Sequence, residues 1–243
     1  SLQIMIMFMN SITDFINKRA MLVSIPRIAT VLFILLQLIG MQTYPGGTIH
    51  DMSTTGYSFT NNFFSDMGTY VARNGEPNYL SMIIFSLSLT IVGITFSFYY
   101  LTLPNVLGKD RINYMLSMIG TLFAIGGSAC LVGTGMTPSD IVHGPHVFFA
   151  NNIFHCFLVT ALLYTIVIFR SNKIEKRYAF GYGLFFISIF AYVGVLQYGP
   201  PASAGKSELV FQVISQKMIV GVFCFSVLHQ TYGFAKPGVL DPI

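Results

Sequence analysis

The chain has 243 residues, of which 53% are apolar and only 9% are charged, and its mean hydropathy is +0.67. Soluble domains carry roughly 25% charged residues, so this composition excludes an ordinary soluble globular protein. The net charge of +4 comes from basic residues in short connections between apolar runs. Such residues are topology signals, and we do not expect a nucleic-acid partner.

The first residues predict an amphipathic helix. Apolar side chains recur there at helical spacing and polar side chains occupy the opposite face. We therefore predict that residues 1–19 form an amphipathic segment on the cytoplasmic membrane surface. The alternative is that this segment extends the first spanning helix.

Six apolar runs follow, each long enough for a helix that crosses a bilayer core of about 30 Å. The predicted spans are 20–40, 79–103, 112–133, 147–169, 178–198 and 209–228. The sequence thus predicts an all-α, polytopic bundle of six transmembrane helices within residues 20–235, followed by a C-terminal tail at 236–243. No second domain is needed.

The distribution of basic residues predicts the orientation. With the N-terminus inside, ten lysines and arginines fall in cytoplasmic segments and only Arg73 and Lys206 fall outside. The positive-inside rule then places both termini in the cytoplasm and the protein in the cell membrane, as a multi-pass protein.

The stretch 41–78, between the first two spans, is predicted to be a long outer loop. Its aromatic residues argue against disorder, so we expect it to fold over the outer mouth of the bundle. The third span carries glycines at 120, 126, 127 and 133, which favour close helix packing.

Polar residues inside the later spans indicate a cavity. Asn151, Asn152 and His155 share one face of the fourth helix. Tyr192 lies on the fifth helix. The sixth helix carries Gln212, Gln216 and Lys217.

His155 and Lys217 lie about 14 Å below the outer ends of their helices, near the bilayer centre. A buried ammonium group needs a partner, so we expect Lys217 to face the interior and contact the fourth or fifth helix. Lys217 could instead serve packing alone.

The outer loops supply carboxylates and imidazoles. Ser65 and Asp66 lie in the first outer loop, and Asp140, His143 and His146 precede the fourth helix. Asp66, Asp140, His143 and His146 are candidate ligands for a divalent metal, although no HExxH-type spacing is present. Asp66, His146 and His155 are candidate catalytic residues. Helix capping and turn formation are the structural alternative, and we expect Asp66 to accept hydrogen bonds from the second outer loop.

The pattern Ser65-Asp66-Met67-Gly68-Thr69 resembles the Ser-Asp-x-Gly signature of the DRAM and Sfk proteins. It is closer to the related prokaryotic domain-of-unknown-function family 998. The turn from Gly135 to Asp140 followed by His146, and the pair Gln216-Lys217, are similar to later motifs of that family. Asn151 departs from it, since relatives have a small residue there. The resemblance implies a six-helix membrane protein, with eukaryotic relatives in lipid organisation and lipid-anchor remodelling.

Three functions remain open. The first is binding of lipid or another amphiphile in an outward-opening, polar intramembrane cavity, alone or as an accessory subunit of a larger membrane complex. The expected ligand-binding residues are Ser65, Asp66, His146, Asn151, Asn152, His155, Tyr192, Gln212, Gln216 and Lys217. The second is an intramembrane lipid hydrolase using Asp66 with His146 or His155, with or without a metal. The third is a small proton-coupled transporter around Lys217 and His155. The sequence identifies no cofactor.

The orientation is testable by cysteine labelling. Single cysteines at Thr54 and at Lys173, in a background without the native cysteines, should react with an impermeant reagent from opposite sides of the membrane. The charge asymmetry is the physical reason. Labelling of both positions from one side would contradict the six-helix topology.

Overall fold

The computed structural model describes residues 17–108 and 110–240. Within these ranges six long helices account for most of the chain, and we number them α1 to α6. Their bounds are Ala20–Thr43, Tyr79–Leu107, Arg111–Met136, His143–Arg170, Arg177–Tyr198 and Lys206–Phe234. Each is long and apolar enough to cross a membrane, which confirms the predicted all-α fold of a multi-pass membrane protein. Residues 1–16 of the predicted amphipathic segment lie outside the described residues, as do residues 241–243 of the predicted tail.

Large apolar side chains cover the outside of the bundle. Ile28, Leu122, Phe180 and Met218 are each exposed by about two thirds of their surface, at 65%, 69%, 67% and 66%. Contiguous apolar surface of this kind marks an interaction with lipid or protein rather than with water. The exposed faces are therefore those expected to contact acyl chains.

Local sequence signals set the helix ends. Pro26 lies directly after the π-helical turn Ala20–Ser24, at the start of the α-helical part of α1, so its missing backbone N–H falls at this junction. The Asp110 side chain accepts a hydrogen bond from the Asn113 backbone N–H at 2.9 Å and so caps α3. Helix α2 ends at Leu107, three residues after Pro104.

The helices form a ring. Each packs against the next in chain order from α1 to α6, and α1 closes the ring against α6. Arg27 on α1 donates to the Thr231 hydroxyl on α6 at 2.9 Å, which fastens this closure at one end.

Glycines of α3 receive the aromatic rings of α4. A Cβ on Gly127 would lie 2.9 Å from the Phe157 ring, and one on Gly133 would lie 2.6 Å from the Phe149 ring. Any larger side chain would force these helices apart. The predicted close-packing role of the glycine face is confirmed.

The segment between α1 and α2, residues 44–78, lies over one end of the ring, and we call it the cap. It contains a 3₁₀ helix at Phe64–Gly68 and the isolated bridges Gly46–Thr55 and Val71–Pro77. Gly47 has a φ of +83°, and a Cβ there would lie 2.3 Å from the Asn74 nitrogen, so the turn requires glycine.

Aromatic side chains fill the ring at the end away from the cap. Tyr100, Tyr164 and Tyr182 are buried there, and the Tyr182 hydroxyl donates to the Tyr100 hydroxyl at 3.3 Å. Thr121 and the Tyr164 hydroxyl are hydrogen-bonded at 2.7 Å. This half of the bundle is thus filled by buried aromatic side chains.

Candidate functional site

A cavity of about 120 Å³ lies inside the ring beneath the cap. Side chains from each of the helices α1 to α6 line it, and most of them are apolar. The polar residues of the lining are Gln37, Ser65, Thr134 and Gln216. The cavity is thus a mainly apolar space with a few uncharged polar groups.

The cap forms the roof of this cavity. Phe64 and Ser65 line the cavity from the cap. The Gln216 side-chain oxygen on α6 accepts a hydrogen bond from the Phe64 backbone N–H at 2.9 Å. One glutamine therefore both lines the cavity and fastens its roof.

Lys217, the next residue of α6, also holds the cap. Its ammonium group donates to the Asn62 carbonyl oxygen at 2.6 Å, and the residue is only 8% exposed. The rings of Tyr57, Phe59 and Phe64 surround the same group, with their centroids 5.3, 5.0 and 5.1 Å away. An ammonium over aromatic faces is stabilised by about 0.5–2 kcal/mol per favourable contact.

Lys217 faces the interior, as expected, but its partners differ from the expected ones. We expected a contact with α4 or α5, whereas the contacts belong to the cap. The cap supplies oxygen and aromatic faces at the depth of the lysine, so helix neighbours are not needed.

Asn62 is the centre of the cap, and sequence analysis did not single it out. It is fully buried, and its side-chain nitrogen donates to the Gly47 carbonyl at 2.8 Å and to Asp66 at 3.1 Å. Its backbone carbonyl oxygen accepts from the Tyr57 hydroxyl at 2.9 Å as well as from Lys217. Burial raises the pKa of Tyr57, so this hydroxyl remains a donor. The sequence signal that could have revealed Asn62 was an amide side chain directly before two phenylalanines.

Asp66 is paired within the cap. One carboxylate oxygen accepts from Arg73 Nε at 3.1 Å and from Nη2 at 3.0 Å. The other accepts from the Asn62 amide at 3.1 Å and from the Phe63 backbone N–H at 2.9 Å. These four donors occupy the four lone-pair directions of a carboxylate. The expected donors from the second outer loop are not the ones found, because the 3₁₀ turn and Arg73 already surround the carboxylate.

The link between the two loops runs through Asp140 instead. Its two carboxylate oxygens accept the backbone N–H groups of Tyr70 and Val71 at 3.0 and 2.9 Å. At the entry to the cap, the Tyr44 hydroxyl accepts from the Arg73 backbone N–H at 3.1 Å, and burial raises the pKa of Tyr44 to about 12. The cap is therefore tied to α6 and to the turn before α4.

Two of the candidate histidines, His146 and His155, bond to backbone carbonyls. His143 begins α4 and is exposed, and His146 lies within the first turn of α4 rather than in a preceding loop. His146 Nδ1 lies 2.6 Å from the Thr137 carbonyl oxygen, and His155 Nδ1 lies 2.9 Å from that of Asn151. A carbonyl oxygen only accepts, so Nδ1 carries the hydrogen in both rings. The other His155 nitrogen is 3.2 Å from the Gln197 amide nitrogen on α5.

The metal candidates do not form a ligand group. In the ranges 17–108 and 110–240, no three His, Cys, Asp or Glu side chains come together in an arrangement that could hold a metal ion. Asp66 and Asp140 instead use their carboxylates within and beside the cap.

The remaining predicted binding residues have local roles. Asn152 donates to the Phe148 carbonyl one turn earlier at 2.8 Å. Gln212 donates to the Pro200 carbonyl at 2.9 Å, and Tyr192 is buried with its ring 4.6 Å from that of Phe154. Of the predicted ligand-binding set, Ser65 and Gln216 line the cavity. The lining is mainly apolar rather than polar because most of the other members of this set bond to groups within the protein.

Gln37 on α1 is a cavity residue that sequence analysis missed. It is 4% exposed, and its side-chain nitrogen donates to the Ser88 hydroxyl oxygen on α2 at 2.6 Å. Its side-chain oxygen has no hydrogen-bond partner among the described residues. An unsatisfied buried acceptor costs about 1–3 kcal/mol. A glutamine inside the apolar run 20–40 was the signal that could have revealed it.

Comparison of the chain with protein-family models, with curated proteins and with solved structures found no match.

The role of Asp66 is testable with an isosteric change. In Asp66→Asn the amide N–H₂ must face groups that all donate, so we expect the free energy of unfolding in detergent to fall by about 1.5–3 kcal/mol. Glu76→Gln makes the same charge change at an exposed position of the cap and should leave stability unchanged. Equal stability of the two variants would show that the Asp66 contacts are not stabilising.

The role of Lys217 is testable by hydrogen exchange. In Lys217→Met the amides of the cap near Phe64 should exchange about tenfold faster, because a charge-assisted hydrogen bond and the aromatic contacts are lost. Helix α6 should keep its protection, since replacing a buried charge by an apolar residue of similar volume is tolerated. Lys206→Met, at the exposed start of α6, is the matched control. Unchanged exchange in the cap would mean that Lys217 does not hold it.

Proposed function

We propose that this protein binds the apolar chain of a lipid, or of another amphiphile, in the cavity beneath the cap. The observation that carries the proposal is the apolar lining, to which helices α1 to α6 and the cap all contribute. An apolar cavity of about 150 Å³ stays dry and takes up benzene. A space of this size therefore suits a ring or a short stretch of acyl chain.

The charge pattern supports an orientation for this site. Because basic residues concentrate in the connections away from residues 44–78, we place the cap outside the cell membrane and the termini in the cytoplasm. The ligand would then occupy the outer half of the bilayer. Action within a larger membrane complex and membership of the domain-of-unknown-function family 998 remain parts of the proposal.

The hydrogen bonds of the candidate catalytic and proton-carrying side chains favour the binding role over the hydrolase and the transporter. The carboxylate of Asp66 already has four donors, and the second ring nitrogen of His155 lies 3.2 Å from the Gln197 amide nitrogen. A general base needs a free acceptor directed at its substrate. A proton carrier would need Lys217 to release its proton, whereas here the ammonium group is held by its hydrogen bond to the cap.

Filling the cavity tests this function. Ala150 lines the cavity on α4, and Ala150→Phe should reduce the lipid retained per protein after detergent purification by at least half, because the ring occupies the space of the ligand. Val220→Phe fills it from α6 and should act alike. Lipids are counted by extraction and mass spectrometry, with folding checked by thermal melting.

The matched control is Ala191→Phe, which adds the same ring on the exposed surface of α5. It should retain the wild-type lipid. If the cavity-filling variants fold and retain as much lipid as this control, the proposed function is wrong.

A further inference from the structure

The orientation of the Gln37 amide is fixed by its neighbour. The Ser88 hydroxyl donates its hydrogen to the Phe85 carbonyl at 2.7 Å, so its oxygen is left as an acceptor. Gln37 must therefore direct its amide N–H₂ at Ser88, where the separation is 2.6 Å. The atom left over is the side-chain oxygen Oε1.

This oxygen is a buried acceptor on a residue that lines the cavity. Gln37 is 4% exposed and lines the cavity, and among the described residues nothing donates to its Oε1. Buried polar atoms in proteins nearly always have a partner, so an orphan acceptor at a cavity calls for a donor from outside the chain.

The rest of the lining limits what that donor can belong to. Within the described ranges no ionisable side chain lines the cavity, so a charged headgroup would lose its hydration without gaining a counter-charge. The Thr134 hydroxyl donates to the Cys130 carbonyl of its own helix at 2.8 Å.

We infer that the ligand of this cavity is a neutral, mainly apolar molecule that carries a hydroxyl group, and that this hydroxyl donates to Gln37 Oε1. The inference rests on the proposed function and adds the chemical class of the ligand. Gln37 is six residues from the end of α1 at Thr43, about 9 Å along the helix. The hydroxyl is thus bound below the cap, in the half of the bundle that holds the cavity. A phosphate-bearing headgroup is not accommodated there.

Benzyl alcohol and benzyl methyl ether test this assignment. The ring suits the cavity, and the ether has lost only the donor hydrogen and gained a methyl group. Binding of each is measured by equilibrium dialysis against purified protein in detergent, with empty micelles as the blank. Taking the ratio of the two affinities for each variant cancels their different partition into detergent.

Wild-type protein should bind the alcohol about tenfold more tightly than the ether, as one net hydrogen bond allows. In Gln37→Met, and in Gln37→Leu as a second apolar replacement, the ratio should fall to about one while the ether still binds. Thr134→Val removes a different cavity hydroxyl and should keep the wild-type ratio. Melting temperatures establish that each variant is folded.

The other outcomes separate the inference from the function beneath it. If wild type and Gln37→Met bind both compounds with the same ratio, the cavity takes apolar molecules without using Gln37, and the inference is overturned while the proposed function stands. If wild type binds neither compound above the empty-micelle blank, both are overturned for ligands of this size.

Discussion

An ammonium group in the apolar part of a helix must be surrounded by oxygen atoms or aromatic faces, and Lys217 imposes this requirement on the whole cap. The cap meets it with the Asn62 carbonyl and three aromatic rings. Asn62 is held in turn by the carboxylate of Asp66, which Arg73 neutralises. The neighbouring residue of α6, Gln216, then fixes Phe64 over the cavity. Roof, cavity and helix are thus coupled through two consecutive side chains.

The distribution of charge explains why an apolar cavity coexists with so many polar residues. Charged groups are paired at the two ends of the bundle, by Asp66 with Arg73 in the cap and by Glu175 with Lys236 at the other end. The ammonium of Lys236 holds the pKa of Glu175 below its ordinary value. Between these ends, hydroxyls and amides bond mostly to backbone carbonyls, and aromatic rings fill the half away from the cap. In the open half, the side-chain oxygen of Gln37 has no partner among the described residues.

The helices were predictable because their signal is local. Runs such as 178–198 are apolar throughout, and the observed Arg177–Tyr198 differs by one residue. Helix α4 begins at His143, four residues before its predicted start, because the polar first turn is helical although it is not apolar. The partners of Lys217 were not predictable, since they lie 153 to 160 positions away in the segment between α1 and α2. Gln37 was missed for a related reason: whether a buried amide is satisfied depends on the hydroxyl of Ser88, whose own hydrogen is used elsewhere.

The separation between Asn62 and Lys217 also has a consequence for biosynthesis. At about 5–20 residues per second, a ribosome reaches Lys217 on the order of ten to thirty seconds after it has made Asn62. Until then the cap lacks its ammonium anchor and the ring lacks the helix that closes it against α1. Helix α6 in turn enters the bilayer with a lysine whose favourable surroundings already exist in the earlier part of the chain. The cap is thus synthesised before the helix that it binds, and assembly of the bundle ends when α6 packs against the cap and α1.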